Sequence, residues 1–86
     1  MYTLCFSKKR VQKKFDYYIS LRQDILQKLE RLKLEPRKAL DTHPLSKELT
    51  GAWSCWLGSN LRLVYTIDDL NKTIKILTIG THNKVY

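Results

Sequence analysis

The amino-acid sequence predicts an α+β fold in which two N-terminal helices pack on one face of a small antiparallel β-sheet of about four strands. Three observations favour it. β-Favouring residues open the chain, apolar residues at helical spacing follow up to residue 33, and period-two alternation occupies the part beyond Gly51. Residues 1–86, of which 43% are hydrophobic, are expected to form a single domain with no room for a deep cavity. Any functional site should therefore be an open groove.

The N-terminal half of the chain predicts a strand and two helices. Tyr2–Phe6 is rich in aromatic and β-favouring residues and predicts a short strand. Two apolar stripes follow, formed by Val11, Phe15 and Tyr18 and by Leu21, Ile25, Leu29 and Leu32. Ser20 and Gln23 have capping-box spacing and would start the second helix, which is expected to end before Pro36. One bent helix over residues 8–33 is the alternative, because neither Gly nor Pro separates the stripes.

The C-terminal half predicts a long connection followed by a three-stranded meander. Residues 35–50 contain both prolines and no sustained period, which indicates a connection rather than a helix or strand. Three leucines would hold it to the core: Leu40, Leu45 and Leu49. The alternating segments beyond it predict three strands, Ala52–Leu57, Leu61–Ile67 and Thr73–Ile79.

A three-residue turn at Gly58–Asn60 would pair Trp56 with Arg62 and sort the side chains of the first hairpin onto two faces. The apolar face, which would receive the helices, carries Trp53, Cys55, Leu61, Leu63, Tyr65 and Ile67. The other face, which is expected to be open, presents Ser54, Trp56, Arg62 and Thr66. An arginine beside a tryptophan suits a phosphate and a stacked base, and a cation–π pair that merely covers the sheet is an equally good interpretation.

The chain is strongly basic, with 16 Lys and Arg against 8 Asp and Glu and a net charge of +8. Residues 1–38 hold 11 of the basic residues and 4 of the acidic ones. Such a surplus attracts phosphate backbones or an acidic protein, although a solvated helix face is the simpler explanation. No apolar run approaches the roughly 18 residues of a membrane span, and no signal peptide is evident, so a cytoplasmic protein without membrane contact is expected.

Little in the sequence indicates a metal, a cofactor or a common catalytic motif. Cys5 and Cys55 lie in separate apolar runs without a CxxC pair, and we expect two reduced core thiols and no metal site. A phosphate-cradling glycine loop, a carboxylate pair and a serine triad are all missing from the sequence, which excludes most enzyme classes. The residues that could carry chemistry are His43, Lys47, Arg62, His82 and Tyr86.

Taken together, the order of elements and several short motifs resemble the RelE/ParE superfamily of bacterial toxins, over essentially the whole chain. The motifs are Leu49-Thr50-Gly51, Leu61-Arg62-Leu63-Val64-Tyr65 and Ile79-Gly80-Thr81-His82. Two further features are similar to the YafQ branch, namely His43-Pro44-Leu45 and the aromatic Tyr86 four residues after His82. The resemblance implies a RelE-like β-α-α-β-β-β order and a toxin of a type II toxin–antitoxin system.

The activity implied by the resemblance is that of a metal-independent ribonuclease without a cofactor, which cuts messenger RNA in the ribosomal A site and so inhibits translation. The implied partners are the message, the ribosome and a cognate antitoxin that neutralises the toxin, and the toxin–antitoxin complex is expected to bind operator DNA. By the same resemblance His82 acts in acid/base catalysis, Tyr86 orients the substrate, His43 is a second functional histidine and Arg62 stabilises the scissile phosphate. Where the YafQ branch has a further histidine and an acid, this chain has Trp56 and Asn60.

Those residue types suit the reaction. Cleavage by the 2′-hydroxyl of the substrate needs a base, an acid for the leaving 5′-oxygen and a cation for the charge that accumulates on phosphorus. We expect His82 as acid and His43 as base or orienting group, with the reverse assignment open. Lys47 and Arg62 would hold phosphate. Trp56 would be a base-stacking platform or a packing residue.

Two other functions fit the sequence. ParE-like members of the superfamily poison DNA gyrase, and such a protein would have no chemical use for a histidine at the end of the last strand. A non-catalytic RNA-binding module would retain salt-sensitive RNA binding but would not cut RNA.

Overall fold

The computed structural model describes residues 1–45 and 51–81, which form two helices and a mixed sheet. The elements in chain order are β1 (Thr3–Phe6), α1 (Lys9–Leu21), α2 (Asp24–Leu34), β2 (His43–Pro44), β3 (Trp53–Gly58), β4 (Leu61–Asp68) and β5 (Thr73–Thr81). The strand order is β1-β5-β4-β3-β2. The predicted α+β class, with two helices after the first strand and a meander at the end, is confirmed. Neither helix in the described ranges is long and apolar enough to cross a membrane.

The sheet differs from the prediction in strand number and in one strand direction. It has five strands rather than about four, and β1 runs parallel to β5, with Thr3 opposite Thr73. The alternation of apolar residues reports which face a side chain occupies but not the direction of its strand. The added strand, β2, consists of His43 and Pro44 and pairs antiparallel with β3. Two residues are too few to show alternation, so sequence analysis placed them in a connection.

The two helices are separate, and the residue that separates them is Arg22. Its backbone is extended, with φ −140° and ψ 101°, and its N–H donates to the Tyr18 carbonyl oxygen at 3.0 Å, closing α1. The predicted capping box is wrong. The Ser20 hydroxyl instead donates to the Tyr17 carbonyl oxygen at 2.6 Å within the last turn of α1, and Gln23 makes no side-chain cap within residues 1–45.

The core lies between the helices and the apolar face of the sheet. Its most buried members are Phe15, Ile25, Leu29, Leu32, Cys55, Leu57, Leu61, Leu63, Tyr65, Ile74, Ile76 and Ile79. The predicted helix stripes and apolar sheet face are therefore confirmed, with one exception. Leu21 is 61% exposed, because it ends α1 and does not share a helix with Ile25.

The two cysteines differ in environment. Cys55 is fully buried, and burial raises the pKa of its thiol to about 12. Cys5 is exposed, so the prediction of two core thiols is correct for Cys55 and wrong for Cys5. On the edge strand β1 the side chains alternate, and it is Leu4 and Phe6 that pack against the core.

The first hairpin has the predicted register but a different turn. Trp56 lies opposite Arg62, as expected, whereas Gly58 pairs with Leu61 across a two-residue turn. Ser59 and Asn60 have φ values of 50° and 66°, the left-handed pair that a type I′ turn requires. Leu57 is the extra residue of a β-bulge between Trp56 and Gly58, and its side chain is fully buried.

Gly58 is expected to be more sensitive to substitution than Gly51, although both have left-handed backbones with φ values of +89° and +96°. A Cβ at Gly58 would lie 2.9 Å from Lys28 Nζ and 3.0 Å from Arg22 Nη2, whereas one at Gly51 meets no described atom within 4 Å. We expect Gly51→Ala to lower the free energy of unfolding by about 1 kcal/mol through backbone strain, and Gly58→Ala by about 2 kcal/mol. Urea denaturation measures both; equal losses would show that the contacts at Gly58 contribute nothing.

The connection after α2 is held to the sheet by Tyr65, a buried residue of β4. The Tyr65 hydroxyl donates to the Pro36 carbonyl oxygen at 2.7 Å and shares a second hydrogen bond of 2.7 Å with Thr42 Oγ1. Burial raises the pKa of Tyr65, so the hydroxyl keeps its proton. Of the three predicted anchors, Leu40 packs against the core, Leu45 is half-buried and Leu49 lies outside the described residues.

Candidate functional site

The most unusual polar contact of the structure is the stack of Arg62 on Trp56. The guanidinium carbon of Arg62 lies 3.5 Å from the centroid of the Trp56 ring, within cation–π distance. Arg62 Nε is buried and has no hydrogen-bond partner among the described residues. On its other side Arg62 lies opposite Gly80 of β5, which has no side chain. The result is a cation held against an indole, with a donor for which the described residues supply no acceptor.

Leaving a buried donor without a partner costs about 1–3 kcal/mol, so it is rare in a structural residue. A guanidinium is a fork of five N–H donors that fits two oxygens of a phosphate at once. The Arg62 head group is therefore arranged for an anion, with the Trp56 ring beside it as a surface for a planar group.

His43 lies on the same face of the sheet as this stack. It pairs with Ser54 of β3, two residues before Trp56, and its side chain is exposed. The His43 Nδ1 atom lies 3.4 Å from the Asp41 carbonyl oxygen. If Nδ1 carries the proton toward that oxygen, Nε2 is an acceptor that can take a proton from a substrate.

The structure thus places three of the predicted site residues, His43, Trp56 and Arg62, on one face of the sheet. Lys47, His82 and Tyr86 lie outside the described residues. The expectation that this face is fully open is wrong, because Ser54 is completely buried. The added strand β2 gives Ser54 a neighbour on both sides, His43 and Val64, where the sequence indicated a sheet edge.

A basic groove adjoins the stack. It has a volume of about 380 Å³ and lies between α2, the short 3₁₀ turn Ala39–Asp41 and the bulged end of β3. Its lining residues are Lys28, Arg31, Lys38, Leu40, Asp41, Trp56 and Gly58. Three cations face one carboxylate there. We refer to this feature as the basic groove.

The three cations of the basic groove were not predicted from the sequence. The charge surplus of residues 1–38 was a signal for basic residues in general, but not for these three. Their assignment to one groove depends on how α2 packs against the first hairpin, which residue spacing does not report.

A cluster of charged residues fixes the bulge beside Trp56. Arg22 donates to the carbonyl oxygens of Leu57 at 2.6 Å and of Gly58 at 3.0 Å, and Lys28 donates to that of Leu57 at 3.0 Å. Asp24 accepts from Arg22 at 2.7 Å and lies 3.3 Å from Lys28. The hydrogen bond from Arg22 lowers the pKa of the Asp24 carboxyl. These residues, the hairpin clamp, attach the start of α2 to the strand that carries Trp56.

A second basic groove lies away from the stack, lined by Lys8, Arg10, Val11, Lys14, Leu77 and Thr78. Among residues 1–45 and 51–81, no group of three or more His, Cys, Asp or Glu side chains is placed to hold a metal ion. The two grooves and the stack carry positive charge, which suits an anion, whereas a further pocket, lined by Tyr18, Leu21, Arg22, Ser59, Leu61 and Thr81, is mostly apolar.

Several solved structures resemble this one. A metal-bound toxin from Helicobacter pylori is 25% identical, with a TM-score of 0.77 and 100% of both chains covered. A YoeB-YefM complex from Staphylococcus aureus is 24% identical, with a TM-score of 0.74 over 95% of this chain and 98% of the other. YafQ from E. coli is 18% identical, with a TM-score of 0.70 over 100% and 99%. No family model matches the chain, and no curated protein matches its sequence.

Two helices packed on a sheet of this order, with the stack of Arg62 on Trp56 on the opposite face, form a small α+β domain with the fold of these solved toxins. The fold expected from the resemblance is confirmed, because it is the fold of these solved toxin structures. The likeness to YafQ concerns the fold, so the branch stays a prediction.

Proposed function

We propose that the protein is the toxin of a toxin–antitoxin system and acts as a ribosome-dependent endoribonuclease that cuts messenger RNA in the A site. The observation that carries the proposal is Arg62, a stacked guanidinium with an unused buried donor on the sheet face that also holds His43. The structural likeness to YoeB and YafQ supports the toxin class.

In the proposed reaction Arg62 binds the scissile phosphate and stabilises the charge that develops on its oxygens. The 2′-hydroxyl of the preceding nucleotide loses its proton, its oxygen bonds to phosphorus, and the bond to the 5′-oxygen breaks as that oxygen gains a proton. His43 takes the first proton and His82 supplies the second, or the two exchange these roles. Lys47 adds charge at the phosphate, and Tyr86 orients the nucleotide. Two imidazoles and a guanidinium supply every group that the step needs.

The positive charge of the helices and grooves indicates which partners the protein would bind. The message and ribosomal RNA would meet the basic helices and grooves through their phosphates. An antitoxin with an acidic or amphipathic segment would neutralise the same charges. Solved YoeB-YefM complexes show a toxin of this fold bound to its antitoxin.

Primer extension on a defined message bound to ribosomes tests the proposal. Samples with and without the purified protein are compared, beside the same message without ribosomes. We expect new 3′ ends only when ribosomes and protein are both present. Cuts in both samples would retain the nuclease and remove the dependence on ribosomes.

A ParE-like gyrase poison is the main rival. An intact message in every sample, from protein that still arrests growth, would favour that rival and would make the histidines surface residues. Intact message together with normal growth and salt-sensitive RNA binding would indicate a non-catalytic RNA-binding module.

A further inference from the structure

We propose that the basic groove is a binding site for a second phosphate of a single-stranded RNA, adjoining the nucleotide whose base stacks on Trp56. The proposal rests on the proposed function, because it assigns the groove to the substrate that Arg62 would hold. It adds a site on α2 and the 3₁₀ turn, where sequence analysis placed no substrate-binding residue.

Trp56 connects the two sites. Its ring stacks on Arg62 at 3.5 Å and also forms part of the wall of the basic groove. A base that stacks on this indole has one phosphate on either side along the strand. Because the Trp56 ring contacts Arg62 and also lines the groove, both of these phosphates would have cations within reach.

The basic side chains of α2 and of the segment after it that form no ion pair with described residues are concentrated in the basic groove. The side chains of Arg31 and Lys38 are exposed and form no ion pair with the residues that the structure describes. Their neighbours in sequence differ in this respect, since Lys33 pairs with Glu30 at 3.3 Å and Arg37 pairs with Asp69 at 2.8 Å. The two cations that are not neutralised are therefore the two that line the groove.

Contacts within the fold hold the walls of the basic groove in place. Lys28 is fixed by its bonds to Asp24 and to the Leu57 carbonyl oxygen, so one wall does not depend on a free side chain. The opposite wall is the 3₁₀ turn, in which Leu40 and Asp41 have left-handed φ values of 58° and 55°. Such strain costs free energy and is concentrated at functional sites. The Asp41 carboxylate offsets one of the three positive charges and leaves a net charge that suits one phosphate.

The Trp56 ring indicates which class of ligand the basic groove would bind. A base can lie on an indole only when it is unstacked from its neighbours, which a single strand permits and a duplex does not. Ribosomal RNA helices and acidic antitoxin segments would also find the cations attractive, but neither has a use for the Trp56 ring. The structure therefore favours the message.

The test is binding of a short, fluorescently labelled 2′-O-methyl RNA, which lacks the attacking hydroxyl, measured by anisotropy over a range of salt concentrations without ribosomes. The variant is Arg31→Ala/Lys38→Ala, and the matched control is Lys33→Ala/Lys72→Ala, which removes the same charge elsewhere. Each phosphate contact contributes about 0.7 to the salt slope for a single strand. We expect the slope to fall by about 0.7, the contribution of one phosphate, and the affinity at low salt by about tenfold in the groove variant alone.

An unchanged slope, or an equal fall in the control, would overturn the proposal. So would a groove variant that binds the RNA normally and loses affinity only for ribosomes or for the antitoxin, because the groove would then belong to another partner. The result is independent of cleavage. If the protein cuts no message on ribosomes but the slope falls as expected, the proposed function fails and the site remains.

Discussion

Replacing Arg62 with alanine is expected to lower the rate of message cleavage on ribosomes by about 10²- to 10³-fold. This is the loss observed when one preorganised donor to a developing negative charge is removed. The substitution removes the guanidinium that stacks on Trp56 and the unused donor Nε together. Single-turnover primer extension at saturating protein measures the rate directly, without a contribution from product release.

Two further variants make this prediction specific. Arg62→Lys keeps the charge but loses the planar fork, so we expect a rate between those of the wild type and of the alanine variant. Lys72→Ala removes a charge from the turn between β4 and β5 and should cut at the wild-type rate. Near-wild-type cleavage by Arg62→Ala would exclude Arg62 from the reaction and leave its stack as packing. Circular dichroism and the urea midpoint check that each variant folds.

Removing the Tyr65 hydroxyl is expected to lower the free energy of unfolding by about 2–3 kcal/mol. In Tyr65→Phe the Pro36 carbonyl oxygen loses a donor in a buried position, and Thr42 Oγ1 loses its bond to the same hydroxyl. Leaving buried polar groups without partners costs about 1–3 kcal/mol for each group, and Thr42 is only partly buried. Urea denaturation followed by tryptophan fluorescence measures the loss.

Tyr17→Phe is the matched control, because Tyr17 is 59% exposed and its substitution should stay within about 0.5 kcal/mol of the wild type. A Tyr65→Phe protein as stable as this control would mean that water replaces the lost hydrogen bonds and that the connection needs no anchor. With the anchor lost, the connection that leads into β2 and His43 would be freer, so cleavage is expected to fall along with stability.

Much of the fold could be predicted because the sheet has one apolar face. Cys55, Leu63 and Tyr65 must all point toward the helices, and a one-residue slip of the hairpin would turn the apolar side chains of one strand to the other face. The same constraint placed Trp56 opposite Arg62. The stack at the centre of the candidate site is therefore a consequence of burying the other face.

The rest could not be predicted because it depends on contacts between segments that are distant in sequence. The break between the helices is made by Arg22, whose side chain bonds to carbonyl oxygens 35 and 36 residues away. The Ser20–Gln23 spacing suggested a local cause where the actual one is tertiary. The basic groove has the same origin, since Arg31 and Lys38 meet Trp56 only after α2 has packed on the hairpin.

The pairing of β1 with β5 has a consequence for the synthesis of the protein. β5 lies between β1 and β4 and contributes Ile74, Ile76 and Ile79 to the core, yet it follows every other strand of residues 1–45 and 51–81 in the sequence. Until it is available, β1 has no partner and the apolar face of the sheet is incomplete. Native folding is therefore expected only once β5 has left the ribosome. The activity proposed above would therefore begin only after β5 has been synthesised.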